Sequence, residues 1–161
     1  MSALTLVHVV ISLVGIASGF VVIYGFLTAK RLDVWTAIFL AFTILTSVTG
    51  FMFPINGFTP GHAVGILSLI ALCVALWARY RMHLAGAWRT GYVISAVIAL
   101  YFNVFVLIVQ SFKHVPALAE LAAQSEMPAM VTQVIVLALF VAPAIGGVIR
   151  FRGEWLRVDP A

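Results

Sequence analysis

The sequence predicts an all-α membrane protein, a polytopic bundle of about five transmembrane helices. Of its 161 residues, 64% are hydrophobic and only 9% are charged, whereas a soluble domain carries about 25% charged residues. Five apolar runs of roughly 20 residues, the length that crosses a bilayer, occupy most of the chain. Eight of the nine basic residues lie at the ends of these runs that alternate along the chain to fall on one side of a membrane. All three observations favour a single integral membrane domain over residues 1–161.

The apolar runs and the residues that interrupt them set the boundaries of the predicted spans. The first run follows a segment without Lys or Arg and is too long for the core of a secretory signal, so we expect it to be retained. Pro54 interrupts the second run, and Pro60 suits the first helical position after a Thr59 N-cap. The predicted spans cover residues 4–28, 34–53, 60–80, 90–112 and 128–149.

The connection between spans four and five, residues 114–127, has a helical pattern of its own. Pro116 can open a short helix in which Leu118, Leu121 and Ala122 share one face, while polar side chains lie elsewhere. This pattern predicts a short interfacial helix on the outer surface of the membrane. An ordinary connector with helical propensity is the alternative.

The basic residues also predict the orientation of the bundle. Lys113 is at one end of the spans, and the other eight basic residues are at the opposite end: Lys30, Arg31, Arg79, Arg81, Arg89, Arg150, Arg152 and Arg157. Cytoplasmic loops carry the excess of Lys and Arg, so we expect an outer N-terminus and a cytoplasmic C-terminus. The net charge of +4 comes from these flanks, without a motif that enters a nucleic-acid groove, so nucleic acid is not an expected partner.

Small residues recur every four positions in three of the spans. Helices in lipid gain little from burying Leu against Leu, so the close backbone approach that small residues permit is important for their association. The predicted helix-packing residues are Gly15 and Gly19 in span one, Gly61 and Gly65 in span three, and Ala138, Ala142 and Gly146 in span five.

The central parts of the spans contain no Asp, Glu, Lys or Arg. Proton relays and ion pumps usually need such groups, which argues against a pump. Neutral polar residues do occur at depth, among them Thr43, Asn103, Gln110 and Gln133. We expect them to make hydrogen bonds between helices; the alternative is a polar lining for a lipid or quinone headgroup.

Histidines provide the one candidate chemical site. The predicted topology brings His8, His62 and His114 to the outer face, with Glu126 in the same zone. Imidazole and carboxylate groups bind metal ions, and two imidazoles on facing helices can ligate haem. His8 and His62 are therefore candidate cofactor ligands, and His114 and Glu126 complete the candidate metal set. Haem, a quinone and a metal ion all stay open as cofactors because no motif selects one, and no catalytic residue is predicted.

Four segments together resemble a group of small, functionally uncharacterised bacterial multi-pass membrane proteins. They are Leu45–Pro54 (LTSVTGFMFP), Thr59–His62 (TPGH), Gly86–Arg89 (GAWR) and Tyr101–Val106 (YFNVFV). The likeness extends over about residues 33 to 130 and implies the bacterial inner membrane. It supplies no activity, cofactor or catalytic residue.

Three functional hypotheses follow from these residues. The leading one is a non-catalytic integral membrane protein, an accessory or assembly subunit that packs against a larger membrane complex, such as a respiratory or photosynthetic one. The second is a redox, metal-, haem- or quinone-binding membrane protein that uses the outer histidines. The third is a transporter of a small solute or lipid. The expected partners are the lipid bilayer and other membrane-protein subunits, or a second copy of the chain.

The orientation can be tested by site-directed labelling from the two sides of the membrane. Cysteines introduced at Asn56 and Gln124 should react with an impermeant reagent added outside, because both positions precede spans that run inwards. A cysteine at Ala85 should be protected from that reagent until the membrane is opened. Labelling of position 85 from outside, with positions 56 and 124 protected, would reverse the predicted orientation.

Overall fold

The computed structural model describes residues 3–53 and 60–151, and the regular structure in this part of the chain is entirely helical. Five of the helices are long and apolar enough to cross a membrane. This confirms the architecture of a multi-pass membrane protein. The helices are α1 (Ala3–Leu27), α2 (Asp33–Gly50), α3 (Pro60–Leu76), α4 (Ala87–His114), α5 (Pro116–Gln124) and α6 (Met127–Arg150), and α3 continues into a π-helical turn at Trp77–Arg81.

The helix boundaries differ from the predicted spans mainly at local turns. Helix α2 ends at Gly50, where the N–H of Phe51 bonds to the carbonyl of Val48 at 3.1 Å and tightens the last turn. Helix α4 begins at Ala87, three residues before the predicted boundary, directly after Gly86 with a left-handed φ of 53°. The predicted Pro54 stop, the Thr59 cap, the Asn56 labelling position, Arg152 and Arg157 all lie outside the described residues.

Helix α4 is at the centre of the bundle and contacts α1, α2, α3, α5 and α6. In its most apolar stretch 44% of the residues are buried, against 11% in α6. Tyr92, Val93 and Leu100 of α4 are almost fully buried and pack in one core with Phe39 of α2 and Leu72 of α3. The core is therefore built around α4, and α6 is attached at the edge.

Glycines in α1 allow it to approach its neighbours closely. A methyl group on Gly15 would lie 3.4 Å from Oγ1 of Thr43 in α2. A methyl group on Gly19 would lie 2.5 Å from Cδ1 of Leu100 in α4 and 3.0 Å from Cδ2 of Phe39. The predicted Gly15 and Gly19 stripe thus faces α2 and α4, and no side chain fits at Gly19 unless these neighbours move.

The other predicted small-residue positions differ in their contacts and in their burial. Gly65 lies against Phe51, and Gly146 lies so close to Leu27 that a methyl group would come within 2.8 Å of its Cδ2 atom. Gly61, Ala138 and Ala142 are exposed. The stripe predicted in span five is therefore not one packing surface inside the described bundle: Gly146 contacts α1, whereas Ala138 and Ala142 are exposed.

A short helix lies between spans four and five, as predicted. Helix α5 starts at Pro116 and packs on α4 and α6 without burying any residue fully. Leu118, Ala119 and Ala122 are half-buried, whereas Leu121 is exposed. The packed face therefore includes Ala119 in place of Leu121, which was predicted to belong to it. Its position at the membrane surface stays a prediction.

Several polar residues within the spans make hydrogen bonds. Asn103 Nδ2 donates to Thr43 Oγ1 at 3.2 Å, joining α4 to α2, and Gln133 Nε2 donates to the Phe105 carbonyl at 3.1 Å, joining α6 to α4. Ser47 instead donates to a carbonyl of its own helix, at Thr43. Bonds between helices and bonds within a helix both occur, and Gln110 is exposed.

Gly19→Leu tests the contact that holds α1 against α2 and α4. The added side chain must displace Leu100 and Phe39, so we expect a loss of about 1–3 kcal/mol in the free energy of unfolding, the usual cost of overpacking. Thermal unfolding in a mild detergent measures it. Ala17→Leu is the matched control, because Ala17 is on the same helix and exposed. Equal melting temperatures for the two variants would contradict the packing role of Gly19.

Candidate functional site

Two hydrogen-bonded contacts show that four helix termini meet at one end of the bundle. Arg150 Nη1 at the end of α6 donates to the Leu27 carbonyl at the end of α1, at 3.2 Å. Arg79, in the π-helical turn after α3, forms an ion pair with Asp33 at the start of α2. We call this the basic end; its described basic residues are Lys30, Arg31, Arg79, Arg81, Arg89 and Arg150.

Arg79 is the centre of a polar cluster at the basic end. Only 6% of the residue is exposed, and its Nη2 atom binds Oδ1 of Asp33. Its Nη1 atom donates to the hydroxyl of Tyr92 at 3.3 Å, and that hydroxyl donates to Thr36 Oγ1 at 3.5 Å. The guanidinium carbon also lies 5.4 Å from the centre of the Tyr92 ring, within cation–π range. These four residues, Asp33, Thr36, Arg79 and Tyr92, form the Arg79 cluster.

The wide turn after α3 places Arg79 in the interior. In the segment Trp77–Arg81 the chain forms π-helix, and the Met82 N–H bonds to the Trp77 carbonyl at 3.0 Å. Leu84 then adopts a left-handed φ of 58°, an uncommon conformation for a residue with a side chain. Its side chain is nonetheless buried, with 3% exposed. Packing of Leu84 therefore stabilises the turn that positions Arg79.

Aromatic rings connect the Arg79 cluster to the remaining helices at this end. Phe26 of α1 meets the Tyr92 ring edge-on, with 5.4 Å between ring centres, and Phe151 after α6 lies 5.3 Å from Phe26. Such pairs contribute about 0.5–1.5 kcal/mol beyond their buried area. The cluster and its rings thus join α1, α2, α3, α4 and α6.

In the Arg79 cluster the positive charge is paired and hydrogen-bonded within the protein. The buried guanidinium is neutralised by Asp33, whose side chain is 62% exposed and also lies 3.4 Å from Nη2 of Arg31. A buried charge is tolerated when it is paired and hydrogen-bonded. The arrangement fastens helix ends together and leaves the carboxylate at the surface.

The sequence prediction overlooked this cluster because Arg79 was interpreted as one of several topological charges. One signal was present: Asp33 is the only acidic residue before Glu120 and lies within the basic end. An isolated carboxylate among arginines is a natural ion-pair partner, but nothing in the sequence says which arginine it meets.

The opposite end of the bundle contains the predicted histidine site. His8 Nδ1 is 2.8 Å from Thr49 Oγ1, and its ring meets Phe53 edge-on with 5.2 Å between centres. His62 lies beside a different ring, that of Phe51, at 5.7 Å. Both histidines therefore lie near the carboxyl end of α2, each with its own aromatic neighbour.

The structure does not bring the four predicted metal ligands together. Helices α1 and α3 make no contact in the described part of the chain, and each contacts α2 instead. His114 Nδ1 lies 3.0 Å from the Gln110 carbonyl of its own helix, and Glu126 is the exposed residue before α6. Among the described residues no three His, Cys, Asp or Glu side chains are grouped to hold a metal ion. Cofactor ligation by His8 and His62 stays a prediction.

A groove of about 680 Å³ runs between α1 and α6, with Val104 of α4 also lining it. Most of its walls are apolar side chains, including Phe20 and Leu27 of α1. Arg150 lies at one end. On the α6 side the lining includes both large residues, such as Leu139 and Phe140, and the small or compact residues Ala142, Pro143 and Gly146.

No protein-family model, no curated protein and no solved structure matches the chain. The resemblance of Leu45–Pro54 and Tyr101–Val106 to small bacterial membrane proteins stays a prediction. What the protein does must therefore be inferred from its own contacts, burial and charges.

Asp33→Asn tests the Arg79 cluster. The substitution leaves the buried guanidinium without its counter-charge, and we expect the free energy of unfolding to fall by about 1–3 kcal/mol, the range for a hydrogen bond to a charged group. The double variant Asp33→Asn with Arg79→Met should recover part of this loss, because no buried charge is then left unpaired. Thermal unfolding provides the comparison.

Arg81→Met is the matched control, since Arg81 is exposed in the same turn. It should change the free energy of unfolding by no more than about 0.5 kcal/mol. If the double variant is less stable than Asp33→Asn, the cluster does not act as a buried ion pair.

Proposed function

We propose that the protein is a non-catalytic accessory or assembly subunit that packs against another subunit of a membrane complex. The observation that carries this proposal is the outward face of α6, formed by Val134, Ala138, Val141, Ile145 and Ile149. All five residues are exposed, and Val134 and Ile149 reach 65% and 66%. A helix so little used by its own bundle has most of its surface available for a neighbour.

The shape of this face suits another transmembrane helix. Ala138 is small and lies between larger residues on the same side, Val134, Val141 and Ile145. Association of helices in lipid depends on van der Waals packing, and a small residue between larger ones lets a partner backbone approach closely. Lipid tails cover the same face in the free protein.

The polar groups of the spans support a structural role. Asn103 is bonded to Thr43, Gln133 to the Phe105 carbonyl, and Arg79 to Asp33. Each of these bonds joins two helices, so the groups that are most costly to place in lipid contribute to the rigidity of the bundle. A scaffold that presents one helix to a partner needs this rigidity.

We further propose that the basic end faces the cytoplasm of a bacterium and that the protein lies in the inner membrane. Six described basic residues at this end support the orientation through the positive-inside rule. Exposed Trp35, Trp77 and Trp88 at the same end suit the headgroup region. The bacterial location is supported by the resemblance of segments such as Leu45–Pro54.

Co-purification from the native membrane tests the proposed role. The tagged full chain, extracted in a mild detergent, should retain a stoichiometric membrane-protein partner. Ala138→Trp should reduce the retained partner at least tenfold, because the indole blocks close approach, and should leave the melting temperature of the purified chain unchanged. Ala41→Trp is the matched control, since Ala41 is exposed on α2, and it should retain the partner.

Other outcomes of this experiment would decide against the proposal. Loss of the partner in Ala41→Trp and Ala138→Trp alike, or in neither, would show that α6 is not the docking helix. A second copy of the chain as the only partner would indicate self-association in place of an accessory role. A visible absorption band or a stoichiometric metal that is lost in His62→Ala would favour the histidine hypothesis.

A further inference from the structure

We propose that the groove between α1 and α6 binds one anionic phospholipid, with an acyl chain along the groove and the phosphate on Arg150. The inference does not rest on the accessory role, since the groove is lined by residues of α1, α4 and α6 of this chain. It assigns the lipid to the leaflet at the basic end.

Along α6 the groove is long enough to hold an acyl chain through one leaflet. Its lining on α6 runs from Val136 to Arg150, and at 1.5 Å per residue these positions are about 21 Å apart along the helix. Half of the hydrocarbon core of a bilayer is about 15 Å thick. A chain that starts below a headgroup at Arg150 therefore reaches the middle of the membrane before the groove ends.

The size and lining of the groove suit a hydrocarbon chain. Its volume is about 680 Å³, and most of its walls are apolar side chains. A polymethylene chain, whose carbons contact their neighbours at about 4 Å, can pack along such walls.

The walls are built to receive a flexible apolar chain. Phe20 of α1 and Phe140 of α6 approach with 6.1 Å between ring centres, and both line the groove with Ile23. Ala142, an exposed residue of α6, also lines the groove, so the groove is open towards lipid at this position. A lipid can therefore enter from the side, without opening the bundle.

Arg150 supplies the charge that distinguishes an anionic lipid from a zwitterionic one. It is exposed at the end of the groove, and its Nη1 atom donates to the Leu27 carbonyl at 3.2 Å, which fixes the guanidinium across the mouth between the two helices. A guanidinium has five donors, and its planar fork matches phosphate oxygens. The remaining donors can bind a phosphate while the contact to Leu27 persists.

Native mass spectrometry of the full chain in detergent tests the site. Dioleoyl phosphatidylglycerol and dioleoyl phosphatidylcholine, which carry the same acyl chains, are titrated in parallel. Wild-type protein should bind one phosphatidylglycerol at least fivefold more tightly than phosphatidylcholine. Arg150→Gln should reduce the phosphatidylglycerol affinity to that of phosphatidylcholine, whereas Arg81→Gln, at the same end but outside the groove lining, should leave the preference intact.

A second variant acts on the groove without touching the charge. Ala142→Phe places a ring in the groove and should weaken binding of both lipids at least fivefold, while circular dichroism and the melting temperature in detergent report that the fold is kept. Equal affinity of wild-type protein for the two lipids would overturn the proposal. So would a preference that survives Arg150→Gln, undiminished binding to folded Ala142→Phe, or a cross-link at position 142 to a partner helix in place of lipid.

Discussion

A bilayer offers no hydrogen-bond partner to a polar group and little gain to apolar side chains that leave lipid for one another. Specific residues of the bundle satisfy both constraints. Gly19 lets α1 lie directly on Phe39 and Leu100, so that many weak dispersion contacts form over a short distance. Asn103 donates a hydrogen bond to Thr43 of another helix, and Arg79 forms an ion pair with Asp33 of another helix. Close approach and internal polar pairing depend on each other, since a hydrogen bond of 3.2 Å between α4 and α2 requires that these helices already touch.

Features that depend on a single segment of the chain, such as the spans, could be predicted from the sequence. Hydropathy and length are properties of a single segment, and the five spans were predicted from them, while α5 was predicted from Pro116 and the spacing of the apolar residues after it. Pro60 does begin α3. The end of α2 was placed too late because apolar Phe51 and Phe53 continue the hydrophobic run after the helix has stopped. Apolar character alone does not reveal where the backbone turns. Gly15 and Gly19 were identified because their spacing is visible within one helix.

The candidate sites depend on contacts between segments that are distant in the sequence. The pattern within one segment does not predict such contacts. Arg79 and Asp33 are 46 positions apart, and their pairing needs both the π-helical turn and the packing of Leu84. His8 and His62 both lie near the carboxyl end of α2, but the sequence does not show that α2 lies between their helices. The groove depends on how the residues that line α6, among them Ala142 and Pro143, are placed relative to α1. No periodicity within α6 distinguishes that lining from an ordinary lipid-facing surface.

The peripheral position of α6 has a consequence for biogenesis. Helices α1 to α4 contact one another in a connected set, and the Arg79 cluster belongs to them alone. Because α6 follows them in the chain, they leave the ribosome first, and chains fold from the N-terminal side during synthesis. The first four spans can therefore complete their ion pair while α6 is still in the insertion machinery. Phe26 and Val93 are covered by Gly147, so this flank of the first four spans is completed only when α6 packs on it.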